Sequence, residues 1–119
     1  QDIALLDAKK GLQMFNKVSV PVLGIVENMA VHHCTNCGHT EHIFGEGGGE
    51  KLAEQSGTEL LGSLPLLRAI REQADSGTPI VAAEPDGTVA QTYRAIARLT
   101  AARLAHGVGG AAFPSIEIA

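Results

Sequence analysis

The sequence predicts an α/β fold that forms part of a larger, doubly wound parallel sheet, with about two to three strands and flanking helices. Two continuous apolar runs, at 22–26 and 60–64, have the length of buried strands and are too short for helices. Amphipathic helical patterns lie before, between and after them. Alternating strands and helices are typical of parallel sheets, but such sheets usually contain five or more strands. We therefore expect the chain to supply only part of one sheet.

The first elements are one helix and one strand. Leu5, Ala8, Leu12 and Phe15 recur at helical intervals with polar residues between them, which predicts an amphipathic helix. The apolar run 22–26 is continuous rather than alternating, so it predicts a strand that is covered on both faces. Together they form the start of the α/β pattern.

A long segment without periodicity separates this strand from the next elements. From 27 to 49 the sequence gains His, Cys, Asn and Gly, so we expect a loop that exists for function. A short helix over 48–56, closed by Gly57, leads to the second buried strand at 60–64. Two strands joined by a crossover predict a right-handed parallel unit.

Helices dominate the last third of the chain. Apolar residues at four-residue steps predict a helix over 66–74, which ends before Pro79. A longer apolar stripe predicts a helix from Val89 to about Ala105. We expect 107–119 to be a flexible tail, in which 113–118 can form a short edge strand.

Composition excludes several classes of protein. The 119 residues are 45% hydrophobic and 18% charged, enough apolar material for an aliphatic core. The formal net charge of -4 argues against a nucleic-acid partner. We find no membrane span and no signal peptide, which predicts a cytoplasmic chain. Because the sequence lacks an initiator Met, we expect a fragment of a longer protein.

Cys34 and Cys37 are the most informative residues. The stretch between Lys17 and Lys51 contains no Lys or Arg but holds both cysteines and four of the five histidines. Two thiolates separated by two residues can converge on one ion, as in zinc knuckles and iron–sulfur loops. A disulfide framework or a thioredoxin-like pair fits less well, because Gly38 continues the loop instead of opening a helix.

The remaining ligands of such a site are left open by the sequence. Tetrahedral zinc and a cubane cluster usually need four protein ligands, and the chain has only two cysteines. We favour a symmetric dimer in which a second copy supplies the other pair of thiolates. The alternative without a function is that the cysteine pair binds no metal and that the histidines are solvated loop residues. The local histidine candidates are His32, His33, His39 and His42.

The glycine-rich run 45–49 is not a phosphate-binding loop, because no Gly-Lys-Ser/Thr follows it and no strand leads into it. We expect a hinge that starts a helix at Gly48, with backbone N–H groups that can face an anion. No Ser/His/Asp constellation and no convincing pair of catalytic carboxylates occurs elsewhere, so we assign no catalytic residue.

Several short motifs occur in a recognisable order. Together they closely resemble the Mrp/Nbp-type iron–sulfur cluster carriers, which are MinD/ParA-like P-loop ATPases. The similarity covers roughly residues 2–105. The motifs are Asp2-Ile3-Ala4-Leu5-Leu6-Asp7-Ala8, Val20-Pro21-Val22-Leu23-Gly24-Ile25-Val26-Glu27-Asn28-Met29, Cys34-Thr35-Asn36-Cys37-Gly38, Ile43-Phe44-Gly45-Glu46-Gly47-Gly48, Leu64-Pro65-Leu66, Ile70-Arg71-Glu72 and Gly77-Thr78-Pro79-Ile80-Val81.

The resemblance implies a domain organisation and a cofactor. Residues 1–106 match the C-terminal part of a P-loop ATPase-like α/β domain, with a metal-binding loop at 28–47, and 107–119 form the tail. Cys34 and Cys37 match cysteines that bind an iron–sulfur cluster, implied to be 4Fe-4S, shared across a homodimer. In the family that cluster is passed to apo-proteins, and ATP binding and hydrolysis drive or gate the transfer.

The resemblance also implies nucleotide contacts, with two departures. Asn28 and Pro65 match positions that contact the adenine base. The P-loop of the family lies upstream of residue 1, so we expect this chain not to hydrolyse ATP alone. Leu67-Arg68 stands where the family commonly has Asp-Pro, which removes a carboxylate near the base pocket.

Three functions compete at this point. The leading hypothesis is an iron–sulfur carrier fragment whose exposed Cys34 and Cys37 hold a labile cluster. The first alternative is a binding or dimerisation module stabilised by zinc at the two cysteines and one or two histidines. The second is a metal-free interaction fragment with reduced cysteines.

Overall fold

The computed structural model describes residues 1–107, which form an α/β unit with a small parallel sheet. In chain order the elements are α1 (Asp2–Lys17), β1 (Ile25–Glu27), β2 (His32–His33), β3 (Thr40–Glu41), α2 (Gly48–Gln55), β4 (Leu60–Ser63), α3 (Arg68–Asp75), α4 (Ile80–Ala83) and α5 (Thr88–His106). The predicted fold class is confirmed. The tail beyond Gly107, including the edge strand expected at 113–118, lies outside the described residues.

Strands β1 and β4 form the sheet that organises the fold. They pair in parallel, with Ile25 opposite Leu60 and Glu27 opposite Ser63. The prediction at 60–64 is confirmed, whereas the predicted strand at 22–26 forms only from Ile25 onward. The strand begins at Ile25, whose N–H donates to the Glu59 carbonyl at 2.9 Å. A strand needs such hydrogen bonds to a neighbouring strand, and the pairing with β4 starts only here.

Helices α2 and α5 both contact the sheet, and the core lies between these elements. Helix α2 packs on β1 and β4, and α5 packs on β4. The buried apolar side chains are those of Leu52, Ala53, Leu61, Leu64, Ile80 and Ala90. These residues lie on α2, on α4 and α5, and on β4 and the residue that follows it. Helix α2, which joins β1 to β4, and helix α5 therefore stabilise the two strands from which the functional loops extend.

Helix α1 is confirmed, but its apolar stripe is only partly covered. None of its residues is buried. Leu5 and Leu12 are half-buried, whereas Phe15 is 41% exposed. The principal neighbour of α1 is α2, which explains why the covered part of the stripe is narrow. Amphipathic patterning therefore predicted the helix correctly and overestimated its burial.

The segment predicted as one long loop is partly ordered as a hairpin. Strands β2 and β3 pair antiparallel, and α2 then begins at Gly48 as expected. Two-residue strands rich in histidine carry no period-2 apolar signal, so sequence patterning could not detect them.

The remaining helices differ from the predictions mainly at their ends. Helix α3 begins at Arg68 rather than Leu66, because Leu66 forms a parallel bridge with His32. The short helix α4, which follows Pro79, was missed. Helix α5 is confirmed. No helix within residues 1–107 is long and apolar enough to cross a membrane.

Candidate metal centre

A tight turn at the tip of the β2–β3 hairpin carries both cysteines. The Cys34 N–H donates to the His39 carbonyl at 2.8 Å, and the Gly38 N–H donates to the Cys34 carbonyl at 2.8 Å. Gly38 has a φ of 73°, a left-handed conformation that glycine adopts without steric cost. These bonds close a turn that contains both cysteines. The two thiols therefore lie at one exposed tip.

The two thiols are accessible and are not joined in a disulfide. Cys34 is half-buried, Cys37 is exposed, and neither forms a disulfide. The backbone N–H groups of Cys37 and Asn36 and the Cys37 side chain hydrogen-bond to the Cys34 sulfur and lower the pKa of that thiol. Partial burial and the nearby Glu41 carboxylate oppose this shift. Because the thiolate is the form that ligates metal, these hydrogen bonds prepare Cys34 for coordination.

Three of the four nearby histidines use Nδ1 in hydrogen bonds. His42 Nδ1 lies 2.9 Å from the Ala30 carbonyl oxygen, and His33 Nδ1 lies 2.8 Å from Thr40 Oγ1. His32 Nδ1 bonds the Leu66 carbonyl. These contacts hold the rings within the hairpin and against its base.

No set of three His, Cys, Asp or Glu side chains within residues 1–107 converges to hold a metal ion. The described part of one chain therefore presents two thiols without the further ligands of a closed zinc site, which usually needs four. The structure gives the zinc-stabilised module no support. His32, His33, His39 and His42 are near the cysteines in sequence, but they do not complete their site.

The residues expected to contact adenine follow the parallel strands. Asn28 comes directly after β1, and Pro65 comes two residues after β4. The Ala30 N–H donates to the Leu64 carbonyl at 2.9 Å, so these two segments run side by side. The carboxyl ends of parallel strands are where α/β proteins usually bind ligands.

Only one of these two residues lines a pocket at this edge. A cavity of about 190 Å³ lies between the start of α1, the end of β1 and the glycine-rich run. Asn28, Met29 and Gly45 line it, but Pro65 does not. The Asn28 side-chain oxygen accepts the Met29 N–H at 3.0 Å. The structure thus brings Asn28, and not Pro65, into this pocket.

Sequence patterning missed the sharp turn at Met29. This residue has a φ of 56°, which is rare for a residue other than glycine. The turn redirects the chain from β1 into the cysteine hairpin. Methionine has no preference for this conformation, so no composition signal could have revealed it.

The glycine-rich run forms the turn that leads into α2, which begins at Gly48 as predicted. Gly45 and Gly47 have φ values of 89° and 72°, and Gly47 is the N-cap of α2. Gly49 is buried where α2 crosses β1, and a Cβ added there would lie 2.9 Å from the Glu27 Cβ. The glycines therefore serve a turn and a close helix–strand approach.

The chain is similar to proteins that handle iron–sulfur clusters. The family model of the NUBPL iron-transfer P-loop NTPases matches residues 1–101. An iron–sulfur cluster carrier protein of Pseudomonas fragi is 64% identical over 97 residues, covering 82% of this chain and 34% of that protein. The mouse iron–sulfur cluster transfer protein NUBPL is 49% identical over 104 residues, covering 87% of this chain and 33% of that protein.

A solved structure supports the fold. A nucleotide-binding protein from Archaeoglobus fulgidus, in complex with ADP, superposes with a TM-score of 0.53 at 32% sequence identity. The match covers 67% of this chain and 32% of that chain. The chain thus spans about a third of the length of the curated and solved relatives it matches.

Proposed function

Because the chain belongs to the NUBPL iron-transfer P-loop NTPase family, we propose that it is the cysteine-bearing part of an iron–sulfur cluster carrier. In this proposal Cys34 and Cys37 ligate the cluster. The observation that carries it is the exposed turn with two free thiols, which no third ligand joins within residues 1–107. Such a half-site suits a cargo that must be both bound and released.

A second copy of the chain completes the site in this proposal. Four thiolates are usual for a 4Fe-4S cluster, and two hairpin tips related by a two-fold axis supply four. The exposure of the tip supports the proposal, because two tips can meet only if nothing covers them. The cluster then bridges a homodimer.

Transfer to an apo-protein requires ligand exchange at the iron atoms. Incoming thiolates of the recipient form new Fe–S bonds as the bonds to Cys34 and Cys37 break, so no net oxidation is needed. A half-exposed site lets the recipient approach while the cluster is still held. We place this exchange in the reducing cytoplasm, where unpaired thiols persist.

In this proposal the full-length gene product also binds and hydrolyses a nucleotide. The family description as P-loop NTPases supports ATP binding and hydrolysis by the larger protein. Asn28, in the pocket at the end of β1, is the proposed adenine contact. Pro65 is the second proposed contact with adenine, because its segment lies beside that of Asn28.

Anaerobic reconstitution of the full-length gene product with iron and sulfide tests the carrier role. We expect a brown protein with broad visible absorption, and we expect Cys34→Ser and Cys37→Ser each to abolish it. Thr35→Ser, in the same turn, is the matched control and retains the colour. A brown Cys34→Ser protein, or a colourless wild type that binds only zinc, contradicts the proposal.

A further inference from the structure

The hairpin that carries the cysteines is too short to fix its own orientation. It contains only two residue pairs, His32 opposite Glu41 and His33 opposite Thr40. Isolated two-stranded ribbons are marginally stable even when they are longer. The direction in which the Cys34 and Cys37 tip points therefore depends on what holds the base of the hairpin.

Besides the backbone bridge between His32 and Leu66, two imidazoles hold that base, one at the start of β2 and one just after β3. His32, the first residue of β2, places Nδ1 3.2 Å from the Leu66 carbonyl oxygen. His42, directly after β3, places Nδ1 2.9 Å from the Ala30 carbonyl oxygen. A carbonyl can only accept, so each ring donates from a protonated Nδ1.

The two carbonyls belong to the segments that leave the parallel sheet. The Ala30 N–H donates to the Leu64 carbonyl at 2.9 Å, and the Leu66 N–H donates to the Val31 carbonyl at 2.8 Å. These bonds continue the pairing of β1 and β4 past the strand ends. Each imidazole thus joins the hairpin to backbone that is already tied to the sheet.

We propose that His32 and His42 are positioning residues that fasten the cysteine hairpin to the carboxyl ends of β1 and β4. The consequence for cluster binding rests on the carrier function proposed above. Two hairpin tips can share one cluster only when both present their thiols in a fixed direction. Loss of either anchor lets the tip sample other directions and weakens the shared site.

The test compares two amides that differ in reach. An asparagine places its N–H donor two bonds from Cβ, as histidine Nδ1 does, whereas a glutamine places it one bond further. In the cluster-free full-length gene product, we expect His32→Gln and His42→Gln to raise amide hydrogen exchange in 32–41 about fivefold. His32→Asn and His42→Asn stay near the wild-type rate. His39→Gln, an exposed position near the tip, is the control and also stays near it.

Wild-type exchange rates in both glutamine variants would overturn the proposal. So would equal rises in the glutamine and asparagine variants, because the ring rather than its Nδ1 donor would then matter. The measurement needs no cluster, so it remains decisive if the carrier function fails. After reconstitution, we expect a chelator to remove the visible absorption of the glutamine variants about fivefold faster than that of the wild type. The asparagine variants should lose it at the wild-type rate.

Discussion

Cys34 is the residue whose chemistry the structure defines most closely. Hydrogen bonds from the Cys37 and Asn36 backbone, and from the Cys37 side chain, stabilise its thiolate and lower its pKa. The absence of Lys and Arg between 17 and 51 means that no cation in the local sequence assists them. Hydrogen bonding within one turn thus replaces the charged neighbours that often activate a cysteine.

We predict that Cys34 is alkylated by iodoacetamide with a pH midpoint below the range of an ordinary thiol. Only the thiolate reacts, so a lowered pKa shifts the reactive range to lower pH. Cys37→Ala removes one of the hydrogen bonds and should raise the Cys34 midpoint. Peptide mass spectrometry of the cluster-free protein across pH measures both.

Thr35→Ser lies in the same turn and is the control, because its side chain is not a source of the shift. Its Cys34 midpoint should equal that of the wild type. If the Cys34 midpoint lies at or above the ordinary thiol range, the turn does not activate this residue.

At the scale of elements, sequence patterning predicted those with a strong apolar period. Helix α5 and strand β4 were predicted because partial burial of one side imposes an apolar pattern on them. Strands β2 and β3, with two residues each, and helix α4, with four residues, were missed because they are too short to show an apolar period. The Leu66–His32 bridge, which delays α3, is a contact between residues distant in sequence.

The candidate site shows the same division. The spacing of Cys34 and Cys37 predicted that the two thiols lie close together, and the turn places both at one tip. The roles of His32 and His42 could not be predicted, because a sequence cannot distinguish a ring that bonds a distant carbonyl from one that binds metal. The Nδ1 contacts with the Leu66 and Ala30 carbonyls show the first role, and the lack of a convergent set of three ligands within residues 1–107 argues against the second.

The crossing of α2 over β1 gives a prediction about stability. A Cβ at Gly49 would lie 2.9 Å from the Glu27 Cβ and 3.1 Å from Leu60 Cδ1. The Glu27 Cβ adjoins the backbone of β1 and cannot move aside. We expect Gly49→Ala to lower the free energy of unfolding by about 1–3 kcal/mol in urea denaturation.

Gly11→Ala is the matched control, in the middle of α1. A Cβ there meets nothing within 4 Å, so alanine gains helix propensity without a clash. We expect the free energy of unfolding to rise by up to about 1 kcal/mol. Equal effects of the two substitutions would show that α2 does not approach β1 closely.

At the scale of the whole molecule, the proposed sharing of one cluster between two copies predicts the number of chains per metal centre. If Cys34 and Cys37 are the two ligands that each copy contributes, a 4Fe-4S cluster on four thiolates joins two chains and gives about two irons per chain. Native mass spectrometry of the reconstituted protein should show the cluster only on species with an even number of chains. A cluster on a single chain would exclude the bridging arrangement.

The outer surface of α1 leads us to expect that the 119-residue chain associates with itself. Ile3 is 68% exposed and Leu6 58% exposed, one helical turn apart, and β1 and β4 pair only with each other within residues 1–107. Unpartnered apolar faces and strand edges favour association. We expect sedimentation equilibrium to show self-association of the cluster-free chain.

The double substitution Ile3→Gln/Leu6→Gln should weaken this association at least tenfold, because two apolar side chains then lose about 1.5–3 kcal/mol each on burial. Asp7→Gln/Lys10→Gln is the control on the same helix. It removes an exposed ion pair of 3.8 Å, leaves the net charge unchanged and should leave the association constant unchanged. A strictly monomeric wild type would refute association through this face, whereas equal weakening by both double variants would assign it to helix stability rather than apolar contact.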